Sequence, residues 1–322
     1  MLPSVPSSAS YTRPATVLVL ASVCCLLWGS AYPAIKQGYA VFGIGPGETG
    51  TQIVFAGWRF TLAGLLLLAV TGVRRQPVLL PLRLHVGPLL LLGVTQTTLH
   101  YLFFYIGLAH TTGVKGSIMV GSTTFFSVLL AHVLYANDRL TVRRIGGCIL
   151  GFAGVIGVNL TSGGLDLTLS FRGEGFVVIS AFFLSASSIY GKRLSQRMDV
   201  IAMTGHQLTL GGLLLLVIGH AAGGRLQGFS PASGLLLGYL VVLSSVAFVL
   251  WSLLLKHNRV GVVAVYSFLI PVFGALLSAL FLREPILELR YLAALTLVSA
   301  GIWLVNREPV VASPRPATVP PG

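Results

Sequence analysis

Arg59 stands in an otherwise apolar stretch, GWRFTLAGLLLL from Gly57 to Leu68. It falls seven residues into a predicted span that begins at residue 52, about 10 Å deep at 1.5 Å per residue. A charge held at the centre of a bilayer costs at least about 2.5–3.5 kcal/mol on insertion scales. Two arrangements offset that cost: a wet cavity in which Arg59 attracts an anionic or zwitterionic substrate, or snorkelling and a helix-end contact. Residues 95–105 carry the second polar signal: Thr95, Gln96, Thr97, Thr98, His100, Tyr101 and Tyr105. Gln96 and His100 lie four apart, as do Thr97, Tyr101 and Tyr105, so two adjoining stripes make one broad face. Lipid does not tolerate such a face, and it must look inward, either onto a substrate route or into interhelical hydrogen bonds. His100 by itself reads as a neutral imidazole bonded to a neighbour.

Trp28, Tyr32, Tyr190, Trp251 and Tyr266 fit a cavity wall or the aromatic belt, with Trp28 and Trp251 placed deeper in their segments. Gln207 occupies the position equivalent to Arg59 in a second copy of the Gly57–Leu68 stretch, and extends the cavity candidates to that copy. Pro271 removes a backbone hydrogen bond inside its segment and invites a kink that can serve as a gate. Lys36 and Lys115 read as interface anchors. The cavity candidates are thus Trp28, Tyr32, Arg59, Gln96, His100, Tyr101, Gln207, Trp251 and Tyr266, with Pro271 as the gating kink.

What is missing narrows the chemistry. The eight carboxylates all fall in loops, tails or span ends, and none sits mid-span. That removes the usual intramembrane proton or cation site and the paired acids that hold magnesium against a diphosphate. No serine elbow or helical zinc pair is present, so the sequence predicts no catalytic residue, no metal and no cofactor. GPGETG, residues 45–50, fits a dinucleotide fingerprint but lies between two apolar segments with no strand before it, and reads as a turn. Cys24, Cys25 and Cys148 sit in apolar runs without ligand spacing.

These residues need elements to hold them. With 55% hydrophobic and 9% charged residues, the chain is no ordinary soluble domain, since those carry about 25% charged residues. The net charge of +13 is spread through loops rather than gathered on an aromatic-studded face, which argues against nucleic acid. The sequence predicts an all-α integral membrane protein of ten transmembrane helices. They cover 15–36, 52–72, 86–108, 114–135, 143–160, 174–192, 200–220, 234–255, 261–282 and 289–306. Tails 1–14 and 307–322, rich in Pro, Ser and Ala, read as disordered and cytoplasmic.

The second half repeats the first. Gly57–Leu68 returns as GHQLTLGGLLLL, Gly205–Leu216, with eight of twelve positions identical. His110 recurs as His257, Asp138 as Glu284, and Ala153-Gly154 as Ala300-Gly301, at a nearly constant offset of 146 to 148. Five spans per copy is an odd number, so the copies, 15–160 and 173–306, must be inverted, the architecture of many secondary transporters. Lys and Arg in short loops divide fourteen to six, which places both termini in the cytoplasm. Gly147, Gly151, Gly154 and Gly157 form a stripe suited to close helix packing.

WGSAYPAIK (Trp28–Lys36), the Arg59-Phe60 pair and LIPVFGALLSALFLREP (Leu269–Pro285) with the later Ala300-Gly301 resemble the EamA-type transporters of the drug/metabolite transporter superfamily. The resemblance runs from about residue 15 to 306 and implies two inverted five-helix halves around a central cavity, braced by the fifth spans. It implies export of amino acids, metabolites or drugs. The sequence expectation is therefore a secondary transporter of a small amino acid-like metabolite, anionic or zwitterionic, in a bacterial inner membrane. Its expected partners are that substrate and the lipid bilayer, and a homodimer is compatible with the sequence. A nucleotide-sugar or phosphorylated-sugar antiporter, an intramembrane enzyme and a scaffold are the rivals. Phe125 stands where the second half has Pro271, so gating by both halves need not be symmetric.

Overall fold

The computed structural model describes residues 10–45, 47–110, 119–159, 170–282 and 289–306. Lys115, Glu284, residues 1–9 and residues 307–322 lie outside these residues. The described residues include, in chain order, the α-helices α1 (Pro14–Phe42), α2 (Thr49–Val73), α3 (Leu79–Leu92), α4 (His100–Ala109), α5 (Ser122–Leu134), α6 (Val142–Asn159), α7 (Phe176–Ser195), α8 (Val200–Ala221), α9 (Pro231–His257), α10 (Val260–Ala264), α11 (Leu269–Leu282) and α12 (Leu289–Asn306). A π-helical segment, Gly93–Leu99, joins α3 to α4; another, Phe171–Gly175, leads into α7; and a 3₁₀ turn, Val265–Phe268, joins α10 to α11. Six helical segments among the described residues are long and apolar enough to cross a bilayer: Pro14–Phe42, Thr49–Val73, Leu79–Leu108, Phe171–Ser195, Val200–Ala221 and Pro231–His257. Leu65, Leu213, Val217 and Leu235 stand exposed on their outer faces, where hydrocarbon is their natural solvent.

Local chemistry sets the helix ends. Pro14 opens α1, where its missing N–H costs nothing, and Gly43 closes it with a φ of 66° that a side chain would resist. Asp199 caps α8 by accepting the N–H groups of Ile201 and Ala202, each at 3.0 Å. Ser230 and Ser233 form a reciprocal cap at the start of α9, with Pro231 between them.

Helix α2 begins at Thr49 rather than residue 52, so Arg59 sits ten residues in, about 15 Å from the helix start. It is a mid-helix cation, deeper than the sequence alone suggests.

The central contact is the packing of α2 against α8. Glycines recur every seven residues on both, Gly50, Gly57 and Gly64 on one and Gly205, Gly212 and Gly219 on the other. Gly64 lies against Gly205 and Thr209, Gly57 against Leu216, and Gly219 against Val54 and Gly50, so the helices run antiparallel. A Cβ on Gly64 would stand 2.6 Å from the Gly205 carbonyl oxygen. A second such contact joins α6 to α12, where Gly147 meets the Gly301 carbonyl and Gly301 approaches the Gly151 nitrogen. The rest of the bundle closes around these pairs: α1 packs on α9 and α11, and α7 on α4 and α5.

Gly64→Ala is expected to cost about 1–3 kcal/mol through overpacking, whereas Gly87→Ala, with nothing within 4 Å of the new methyl, should cost nothing. Thermal unfolding of the two purified variants in detergent checks this; equal melting temperatures would remove the seam from the account of stability.

Candidate functional site

A central cavity of about 370 Å³ lies within the bundle, a volume typical of small-molecule sites. Seven of the nine predicted cavity residues line it: Trp28, Tyr32, Arg59, Gln96, His100, Tyr101 and Trp251. Pro271 lines it as well. Gln207 and Tyr266 do not. Gln207 turns its amide to Thr97 Oγ1 at 3.0 Å, and Tyr266 is buried in the apolar cluster that contains Trp251 and Phe268.

Arg59 is 2% exposed, and its Nε donates to Ser244 Oγ on α9 at 2.7 Å. Ser244 in turn donates to the Leu240 carbonyl at 2.8 Å, so both ends of that hydroxyl are committed and the guanidinium is fixed. The guanidinium also lies 4.9 Å from the Phe60 ring centroid, a cation–π distance. No carboxylate pairs with Arg59 among the described residues. Neither snorkelling nor a helix-end contact describes this placement, for the side chain ends on the cavity wall in mid-helix.

The polar face on residues 95–105 divides between the two roles. Gln96 and His100 face the cavity and bond to α7: Gln96 Nε2 donates to Ser188 Oγ at 3.4 Å, and His100 Nδ1 lies 2.9 Å from Ser180 Oγ. Thr97 and Thr98 point instead to α8, where Thr98 Oγ1 donates to the Gly211 carbonyl at 3.0 Å. The π-helical segment explains why Thr97 leaves the stripe of Tyr101 and Tyr105. Its wider turn breaks the four-residue alignment assumed for a regular helix.

Aromatic rings surround the cation. Trp28 meets Trp251 edge to face at 5.1 Å and Phe248 at 5.7 Å; Phe60 bridges Phe248 to Tyr101, and Tyr39 and Tyr105 complete the wall. Lys36, read from sequence as an interface anchor, also lines the cavity. Sequence reasoning missed Ser180 and Ser188, which lie eight residues apart on one face of α7. The serine-rich run 185–188 signals Ser188 alone, and weakly, because each serine can bond its own helix carbonyl, as Ser185 does to Ala181 at 2.8 Å.

Leu255 and Val260, on either side of the short α9–α10 connection, both line the cavity. Polar groups clamp this connection from two directions. Lys192 Nζ donates to the carbonyls of Leu255 and Asn258, and Asp138 Oδ2 accepts the Gly261 N–H at 3.0 Å. Asp138 Oδ1 meets Arg144 at 2.5 Å, and both side chains are almost wholly buried. Arg259 adds a bond to the Asn137 carbonyl at 3.4 Å.

The chain is similar to known proteins in sequence and in fold. The EamA-like transporter family model matches residues 15–160 and again 171–307. The "Uncharacterized transporter YvbV" of Bacillus subtilis is 31% identical over 297 residues, covering 90% of this chain and 91% of its own. The "Uncharacterized inner membrane transporter YedA" of Escherichia coli K12 is 27% identical over 301 residues, covering 89% and 92%. One solved crystal structure shares the fold with a TM-score of 0.75 at 18% identity, covering 91% of this chain and 97% of that one.

Asp138→Asn is expected to destabilise the protein by about 3–5 kcal/mol, the usual cost of breaking a buried ion pair from one side. Thermal unfolding in nanodiscs measures it, and a melting temperature unchanged from wild type would show that the pair contributes nothing.

Proposed function

The chain belongs to the EamA-like transporter family and is a multi-pass membrane protein, and from that premise we propose that it is a secondary transporter moving a small amino acid-like metabolite outward by alternating access. The observation that carries the substrate class is Arg59, a buried cation on the cavity wall with no carboxylate partner among the described residues. A substrate carboxylate supplies the missing charge, and the aromatic wall receives an apolar body. Outward transport follows the habit of the family that the sequence resembles.

The architecture proposed for this cycle is ten spans in two inverted halves, with both termini cytoplasmic in a bacterial inner membrane. Two features support the inversion. The repeat-equivalent helices α2 and α8 run antiparallel. The packing also survives exchange of the halves, for α1 on α11 and α9 is mirrored by α7 on α5 and α4. In that frame the clamp of Lys192 and Asp138 closes the cytoplasmic end, and Lys36 lies toward the outer one. A phosphorylated-sugar antiporter is the second reading. One observation favours it: Lys36 joins Arg59 on the wall, which gives the cavity two cations.

Two measurements test the proposal. In proteoliposomes, Arg59→Ala should lower counterflow of the carried metabolite by at least about tenfold, with folding unchanged; normal transport would sink the role given to Arg59. In a background without native cysteines, Ser188→Cys should react slowly with an impermeant maleimide from the cytoplasmic side, and faster once Lys192→Met loosens the clamp. An equal rate in both backgrounds would mean that the clamp does not close that end.

A further inference from the structure

The hydrophobic segment from Val260 to Leu282 does not run as one helix. α10 gives way to the 3₁₀ turn Val265–Phe268 before α11 resumes at Leu269. Pro271 explains the break: proline has no N–H to donate, and its ring crowds the carbonyl four residues back, which belongs to Ser267. Side chains take over where the helix fails. Thr124 Oγ1 donates to the Ala264 carbonyl at 3.3 Å, and Cys25 Sγ to the Tyr266 carbonyl at 3.2 Å.

Ser267 is different. Its carbonyl is deprived of the α-helical donor by Pro271, and the Leu269 N–H turns towards it from two residues on. Its hydroxyl has no hydrogen-bond partner among the described residues. Both Ser267 and Pro271 line the cavity. Trp28 stands one turn beyond Cys25 on α1, against Trp251. An acceptor-only carbonyl, an unused hydroxyl and the indoles of Trp28 and Trp251 line the same cavity, and carbonyls and indoles are groups that stabilise an ammonium.

We infer that the broken helix at Ser267 receives a substrate ammonium, so that the cavity selects a zwitterion, with the carboxylate on Arg59 and the ammonium on Ser267 beside Trp28 and Trp251. This rests on the reading of the cavity as the substrate site. The charges also select against the two alternatives. No carboxylate is among the lining residues, so a bare amine would enter a wall carrying Arg59 and Lys36 with nothing to balance it. A bare carboxylate would bring no donor to the Ser267 carbonyl. Residue 125, at the equivalent position of the first half, is phenylalanine, so the seat occurs once and the zwitterion binds in one orientation.

The full chain in nanodiscs, titrated by tryptophan fluorescence, separates these cases. The ligands are two sets that share a carbon skeleton: phenylalanine, 3-phenylpropionate and 2-phenylethylamine, then leucine, 4-methylpentanoate and 3-methylbutylamine. In at least one set the amino acid should bind at least about tenfold tighter than either partner, the scale of one charge-assisted hydrogen bond. Ser267→Ala and, independently, Pro271→Ala, which restores the missing donor, should each shrink the preference over the carboxylate to about threefold or less. If the carboxylate equals the amino acid in wild type and both lose binding in Arg59→Gln, the ammonium seat is wrong and the anion site stands. If binding is indifferent to Arg59→Gln, or no ligand of either set binds, the substrate reading itself fails.

Discussion

Hydrocarbon offers neither donor nor acceptor, so every polar group that this chain carries into its spans has to find a partner within the protein. Much of the structure follows from that constraint. Thr71, Thr95, Ser185 and Ser244 return their hydroxyls to carbonyls of their own helices. Thr98, Ser245 and Gln207 reach across to a neighbour. Those bonds consume most of the side-chain polarity in the bundle. Two groups that keep hydrogen-bonding capacity, Arg59 towards an anion and Ser267 towards a donor, lie on the walls of one cavity.

The glycine seams make that concentration workable. Between α2 and α8 the backbones approach so closely that a methyl group on Gly64 would collide with main-chain atoms. Packing of this kind relies on dispersion contacts and shape, because apolar side chains gain nothing by leaving lipid for each other. Arg59 is held on one of the two helices in this rigid pair and pinned from outside it by Ser244. A charge at mid-helix therefore keeps one position despite the length of its side chain.

Irregular backbone occurs beside the cavity. The π-helical segment Gly93–Leu99 turns Thr97 away from the wall while Gln96 stays on it, and Pro271 withholds the α-helical donor from the carbonyl of Ser267 at the preceding 3₁₀ turn. Away from lipid such breaks are tolerated because neighbouring helices or a water-lined space can meet the freed groups. The two devices place polarity where a regular helix would have hidden it. They also make the halves unequal: the proline break belongs to the second half alone, and Gln207 spends its amide on Thr97 where Arg59 faces the cavity.

The sequence by itself determined that the chain is helical and apolar, roughly where its long apolar helices lie, and that Arg59, Gln96, His100, Trp28 and Trp251 share an environment unlike lipid. Hydrophobic length and the cost of burying charge suffice for those conclusions, and both are local properties of the chain. Only the tertiary structure decided which polar residues face the cavity and which bond to a helix partner. Gln207 and Thr97 carry the same sequence signal as Gln96 and Tyr101, yet they satisfy each other across α8 and the π-helical segment. Lys36 carries the signal of an interface anchor and lines the cavity instead. The clamp of Asp138, Arg144 and Lys192 was likewise invisible, because it joins three segments far apart in the chain. Periodicity fixes the direction of a side chain around its own axis, but the rotation of each helix against its neighbours is set by packing, and that is where pairing and exposure are assigned.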